Sequence, residues 1–100
     1  MQHILKTNLS QIQQIMQAHG VVAAFAFGSV LNDNMRADSD IDFVVKFNAK
    51  MGYQEYGNNY FQLMYALQDL LKRDVDLVAE ETITNPYLLQ SINNNKLQVL

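Results

Sequence analysis

The sequence is short of several residue types whose chemistry defines whole classes of protein. It contains no cysteine, which excludes disulfide frameworks and thiolate metal sites. Charged residues make up only 17% of its 100 positions, and the one adjacent basic pair is Lys72-Arg73. A domain that binds duplex nucleic acid by itself usually shows a basic patch or stripe. We therefore do not expect stand-alone binding of DNA or RNA.

Long apolar runs are missing as well. No stretch reaches the length of a transmembrane helix, and the amino terminus lacks the charged and apolar regions of a signal peptide. We therefore expect a cytoplasmic protein without membrane association. Hydrophobic residues make up 49% of the chain and the formal net charge is -3, which is typical of a globular protein. This length predicts one domain, residues 1–100, with a single modest core.

The apolar pattern predicts alternating helices and strands. Apolar residues spaced by three and four predict amphipathic helices, while short continuous or alternating apolar runs predict strands. The predicted elements are, in order, a helix over Thr7–His19, a strand over Val21–Phe27, a short helix from Ser29, a strand over Ile41–Phe47, a helix over about Asn59–Arg73, a strand over Val75–Ala79 and a helix from Pro86. Asn48–Asn58 is predicted to be a loop whose tyrosine and methionine side chains cover part of the core. The fold class is therefore α/β or α+β, with helices packed against a small sheet.

Carboxylates mark the start of the second predicted strand. Asp40 and Asp42 project from the same face, with their Cα atoms roughly 6.5 Å apart. Asp76 is the only acidic residue inside the third strand, and it completes a three-carboxylate cluster if that strand pairs beside Ile41–Phe47. Such carboxylates repel one another, and a hard divalent cation such as Mg²⁺ removes that cost. Two such ions can hold the attacking and leaving oxygens of a phosphoryl transfer, and Asp76 can also act as a base.

A glycine-serine turn, Gly28-Ser29, ends the first predicted strand. Glycine permits a sharp turn and close backbone approach, and the amides that begin a short helix then face a phosphate. The serine hydroxyl is a further donor. Taken singly, each feature has a plain alternative: Gly-Ser turns commonly follow strands, and Asp-x-Asp pairs are often solvated carboxylates at a strand edge. Their conjunction at this spacing favours a phosphate and metal site.

These residues resemble a known family. Gly28-Ser29, ten intervening residues, Asp40-Ile41-Asp42 and the later Val75-Asp76-Leu77-Val78 look like the minimal nucleotidyltransferases of the DNA polymerase β superfamily. The resemblance implies the nucleotidyltransferase fold and two Mg²⁺ ions held by the three aspartates. It also implies transfer of a nucleoside monophosphate, AMP from ATP, with Asp40, Asp42 and Asp76 as the catalytic residues.

The resemblance further implies a nucleotide-binding set and a partner protein. Gly28, Ser29 and Ser39 are the nucleotide-binding candidates. Small members of the family are similar to antitoxins paired with a helical ribonuclease toxin of the HEPN type. Some of these add AMP to a tyrosine of the toxin, and others act mainly by binding. In two positions the sequence departs from the family pattern: Val30 stands where arginine is frequent, and Asp33 where glycine is frequent.

Two alternatives to the modifying antitoxin remain open at this point. The chain can be a binding module that keeps the fold and neutralises its partner by contact alone. It can also be a nucleotidyltransferase that acts on a small molecule such as an aminoglycoside, although the sequence shows no second domain to select such an acceptor.

Overall fold

The structure is a computed structural model, and it describes residues 3–28 and 39–100. Helices and strands alternate along most of these residues. The elements are α1 (His3–Ala18), β1 (Val21–Phe27), β2 (Ile41–Phe47), α2 (Tyr53–Leu71), β3 (Val75–Ala79), a single 3₁₀ turn (Glu80–Thr82), α3 (Pro86–Asn94) and β4 (Leu97–Gln98). None of the helices in these ranges is long and apolar enough to cross a membrane.

The strands form one mixed sheet in the order β3-β2-β1-β4. β1 pairs antiparallel with both β2 and β4, whereas β2 and β3 are parallel. The parallel pair is joined by α2, because parallel neighbours need a crossover connection rather than a tight turn. The predicted α/β or α+β class is therefore confirmed, and so is the pairing of the third strand beside the second.

The core lies between one face of this sheet and helices α1 and α2. It consists of buried apolar side chains from both helices and the first three strands: Leu5, Ile12, Met16, Val21, Ala24, Ala26, Ile41, Phe43, Val45, Phe47, Leu63, Leu67, Leu71, Val75 and Leu77, with Val99 from the carboxyl-terminal end. Helix α3 contacts the opposite face, where Leu89 and Ile92 meet Phe25 and Val44. Asp42 alternates with Phe43 and so lies on this second face.

Two predicted helix boundaries are wrong, and both helices begin earlier than expected. α1 begins at His3, because Leu5 is fully buried and extends the apolar stripe by a turn. α2 begins at Tyr53, inside the predicted loop. Gly52 and Gly57 indicated a loop, but Tyr56 packs against the core four residues before Tyr60 and continues the helical stripe. Of the side chains expected to cover the core there, Tyr53 does not, since it is 98% exposed.

The ends of the other elements follow the sequence more closely. Gly20 has φ +83° just past α1, as a helix-ending glycine does. The Asn85 side chain accepts hydrogen bonds from the amides of Tyr87 and Leu88, at 2.9 and 3.3 Å, and Pro86 opens α3. Beyond α3 the chain forms β4, which the sequence did not predict; its hydrogen bonds to β1 hold the terminal residues on the sheet. The predicted short helix from Ser29 lies outside the described residues.

Candidate active site

Three strand ends meet at one edge of the sheet. β1 ends where β2 and β3 begin, because β1 runs antiparallel to β2 and β3 runs parallel to it. The register pairs Asp42 with Phe27 on one side and with Asp76 on the other. Parallel neighbours lie about 4.8 Å apart, and side chains at paired positions point to the same face. The fold therefore places the carboxylates of Asp42 and Asp76 side by side.

The electrostatics of Asp42 reflect this placement. Its pKa is raised from the ordinary value of 3.8, first by desolvation through partial burial and then by the negative charges of Asp76 and Asp40. Asp42 is half-buried, whereas Asp40 and Asp76 are exposed. Asp40 and Asp76 are thus close enough for their charges to act on Asp42.

Gly28 lies against the Asp42 carboxylate. It has φ +79°, a left-handed backbone that favours glycine. A Cβ at this position would collide with Oδ2 of Asp42. The φ value favours glycine, and a side chain at this position would force the Asp42 carboxylate to move. The backbone of the turn and the acidic group are consequently in direct contact.

The donor chemistry of this edge fits a hard divalent cation. The candidate ligands are carboxylate oxygens, which Mg²⁺ prefers, and the raised pKa of Asp42 signals negative charge that a cation would compensate. In residues 3–28 and 39–100, however, no group of three carboxylates or imidazoles converges tightly enough to hold one ion as the side chains stand. The strands bring the aspartates together, but their rotamers do not form a closed ligand set.

Of the remaining predicted site residues, the structure describes Ser39 but not Ser29. Ser39 precedes β2, and its carbonyl oxygen accepts a hydrogen bond of 3.4 Å from Nη1 of Arg73. Arg73 follows the end of α2 at Leu71 and reaches the segment before β2. Ser29, Val30 and Asp33 lie outside the described residues.

Sequence reasoning missed the two tyrosines next to this edge. The Tyr60 hydroxyl donates a hydrogen bond of 2.6 Å to the carbonyl oxygen of Leu77. The pKa of Tyr60 is raised by burial and then by the charge of Asp76, so the phenol lies within electrostatic reach of that carboxylate. Tyr56 lies one helical turn earlier. From the sequence, Tyr60 was expected to pack into the core from a helix and Tyr56 to cover the core from a loop, and no local pattern indicated their position beside the β3 edge.

The fold and the strand-edge aspartates define a class of nucleotide-transferring proteins, and comparison with known proteins places the chain within it. Residues 10–100 match the family described as "Polymerase beta, Nucleotidyltransferase". The chain belongs to this family. It is 30% identical over 99 residues to a protein of Methanocaldococcus jannaschii named "Putative protein adenylyltransferase MJ1379", with 91% of this chain and 97% of that protein covered.

Solved structures agree with this assignment. A protein described as a "putative minimal nucleotidyltransferase" is similar with a TM-score of 0.78 and 28% identity, over 97% of this chain and 95% of the other. The MNT antitoxin in a complex with a tri-AMPylated HEPN toxin of Shewanella oneidensis has the same fold, with a TM-score of 0.68, 21% identity, and 95% and 71% of the two chains covered. The predicted recognition of a minimal nucleotidyltransferase is confirmed.

Proposed function

We propose that this chain transfers AMP from ATP to a hydroxyl group of a partner protein, as the antitoxin of a pair whose toxin is a small helical HEPN protein. The observation that carries the proposal is the parallel register of β2 and β3, which sets Asp76 beside Asp42 at the strand end where Gly28 lies. Neighbours that act on proteins and occur in toxin–antitoxin complexes support the choice of acceptor.

In this proposal Asp40, Asp42 and Asp76 hold two Mg²⁺ ions. When bound, the ions supply positive charge at the phosphates and at the oxygens that attack and leave. The Gly28 turn lets backbone amides approach the phosphates, with Ser29 and Ser39 adding polar contacts to the nucleotide. The three aspartates would hold the ions through their carboxylate oxygens, the ligands that Mg²⁺ prefers.

Asp76 is the proposed base. It is exposed at the start of an edge strand, so an acceptor from another chain can reach it. Its carboxylate takes the proton as the acceptor oxygen forms a bond to the α-phosphorus of ATP. The bond from that phosphorus to the bridging oxygen breaks, and pyrophosphate leaves. This role agrees with the predicted cytoplasmic location, where ATP and Mg²⁺ are present.

The test uses as acceptor the small helical protein expected from the reading frame next to this chain. We expect incubation with ATP and Mg²⁺ to add the mass of AMP to that protein, detected by mass spectrometry, and EDTA to abolish the addition. Asp42→Asn should lose transfer by at least about 100-fold, within the range for removing a positioned catalytic group. Asp69→Asn, an exposed change on α2 away from the strand edge, is the matched control and should retain activity.

A binding module that acts by contact alone is the competing function. The two departures from the family pattern, Val30 and Asp33, are the observation in its favour. The two functions separate in cells that express the toxin. If Asp42→Asn protein restored growth as well as the wild type while no AMP appeared on the toxin, neutralisation by contact would replace the enzymatic proposal.

A further inference from the structure

An apolar pocket of about 340 Å³ opens along the outer edge of β3. One wall consists of the α2 rings of Tyr56, Tyr60 and Phe61, and the other of Leu77–Ala79 with Thr82. The volume lies at the lower end of the range of about 300–1,000 Å³ that is typical of ligand sites. None of the described residues that line the pocket carries a charge. It begins one residue after Asp76, so whatever occupies it lies next to the proposed base.

Side chains engage the outward carbonyl groups of β3 at this pocket. The outward carbonyl of Leu77 accepts the 2.6 Å hydrogen bond from the Tyr60 hydroxyl, and that of Ala79 accepts a 2.7 Å bond from Oγ1 of Thr82. Edge carbonyls are the groups that an extended peptide uses in strand addition. Because an added strand would compete with these bonds, entry of an occupant by its side chain is favoured over strand addition.

The rim of the pocket carries negative charge. Glu81 lies near the Tyr56 hydroxyl, and its negative charge raises the pKa of Tyr56, after the larger effect of burial. A phosphate group is disfavoured there, because the lining offers no cation and Glu81 would repel it. A basic side chain is favoured, since it can pair with Glu81 and stack on the half-exposed ring of Phe61.

We infer that this pocket docks the partner protein through one apolar side chain, with an adjacent arginine or lysine meeting Glu81 at the rim. The occupant is thus a segment of the partner with an apolar anchor and a basic neighbour. Its identification as the acceptor protein rests on the proposed function, whereas the chemistry of the pocket does not. Docking beside Asp76 would hold the acceptor hydroxyl within reach of the proposed base.

The probe for this inference is a short synthetic peptide with a phenylalanine followed by an arginine. Its binding is followed by chemical-shift changes of the backbone amides of the isotope-labelled protein, without ATP or Mg²⁺. We expect saturable shifts that cluster at Gly57, Val78 and Thr82. Replacing the peptide's phenylalanine by serine should abolish them, and replacing its arginine by glutamate should weaken binding. If the shifts map elsewhere, or if all three peptides bind equally, the inference is wrong.

Variants of the protein test the same pocket. Gly57 lines it, and a Cβ built there meets nothing within 4 Å, so Gly57→Phe should fill the pocket and weaken binding by about tenfold or more. Gln62→Phe places the same ring on an exposed position of α2 outside the lining and should bind as wild type. Glu81→Gln should weaken binding about two- to fivefold, the size of an exposed ion pair, and Glu80→Gln should not.

The experiments on the pocket can fail while the proposed function holds, and the reverse is also true. Transfer of AMP without any peptide binding at the pocket would refute the docking site and leave the enzyme intact. Binding at the pocket without transfer would refute the enzyme and leave the docking site. If Gly57→Phe does not fold, as judged by its amide spectrum, the binding of the three peptides to the wild-type protein still tests the docking site.

Discussion

Removing the charge of Asp42 should stabilise the protein when no metal is present. Asp42 and Asp76 occupy paired positions on neighbouring strands about 4.8 Å apart. Two unit charges at about 5 Å repel by roughly 0.8 kcal/mol in water and by about 3 kcal/mol at an effective dielectric constant of about 20. Since Asp76 is exposed, solvent screening places the value near the lower figure, at about 1 kcal/mol. Asp42→Asn keeps the shape of the side chain and relieves this repulsion.

The assay is thermal unfolding in EDTA at neutral pH. A gain of about 1 kcal/mol corresponds to a rise of about 4–8 °C in Tm for a domain of this size. The control Asp69→Asn should change Tm little, because it removes only an exposed contact to Lys72. Adding Mg²⁺ should raise the Tm of the wild type more than that of Asp42→Asn, since a ligand stabilises the state that binds it. The difference in Tm between the two proteins should then become smaller or change sign.

The pH dependence of Tm tests independently whether the charge of Asp42 destabilises the protein. The pKa of Asp42 is raised in the folded protein above 3.8, so its charged form is the disfavoured one. The stability cost is fully present above the folded pKa and disappears below the unfolded value. The Tm advantage of Asp42→Asn in EDTA should therefore shrink as the pH falls from 7 towards 4. If Asp42→Asn were no more stable than Asp69→Asn in EDTA at pH 7, the argument for repelling carboxylates at this edge would be refuted.

Five further substitutions, at four positions, test local features of the fold by denaturant unfolding. Gly28→Ala should lower the free energy of unfolding by at least about 1–2 kcal/mol, since a side chain is strained at φ +79°. Gly57→Ala inside α2 should raise it by about 0.5–1 kcal/mol. Equal effects would contradict the account of the turn. Tyr60→Phe should lower the free energy of unfolding by about 0.5–1.5 kcal/mol, because it removes the hydrogen bond to the β3 edge. An unchanged stability would mean that this bond contributes nothing. Asn85→Ala should lower the free energy of unfolding by about 0.5–2 kcal/mol, because it removes the cap of α3. Asn85→Ser should recover most of this loss.

Local pattern was sufficient for the first three strands and insufficient for the starts of α1 and α2. Val21–Phe27, Ile41–Phe47 and Val75–Ala79 were predicted with their observed bounds, because short apolar runs bounded by turn residues have few alternatives. The start of α2 was missed because Gly52 and Gly57 favour a loop locally. The packing of Tyr56 against the core, a contact between distant segments, decided in favour of helix.

The sequence by itself determined which residues can carry the chemistry. The glycine-serine turn, the Asp40-Ile41-Asp42 pair and the acidic residue in a later strand were all visible as residue types at given spacings, and the predicted class of protein followed from them. Spacing along the chain is enough for this step, since residues two apart in extended backbone project to the same side, and Asp40 directly precedes β2, in which Asp42 lies.

Only the tertiary structure decided how these residues meet. The parallel register pairs Asp76 with Asp42, and the antiparallel register returns β1 so that Gly28 lies against the same carboxylate. Register is set by which faces of the strands are buried, a property of the assembled core rather than of any one segment. The pocket between α2 and the β3 edge has the same origin, because Tyr60 and Leu77 become neighbours only when the crossover helix packs on the sheet.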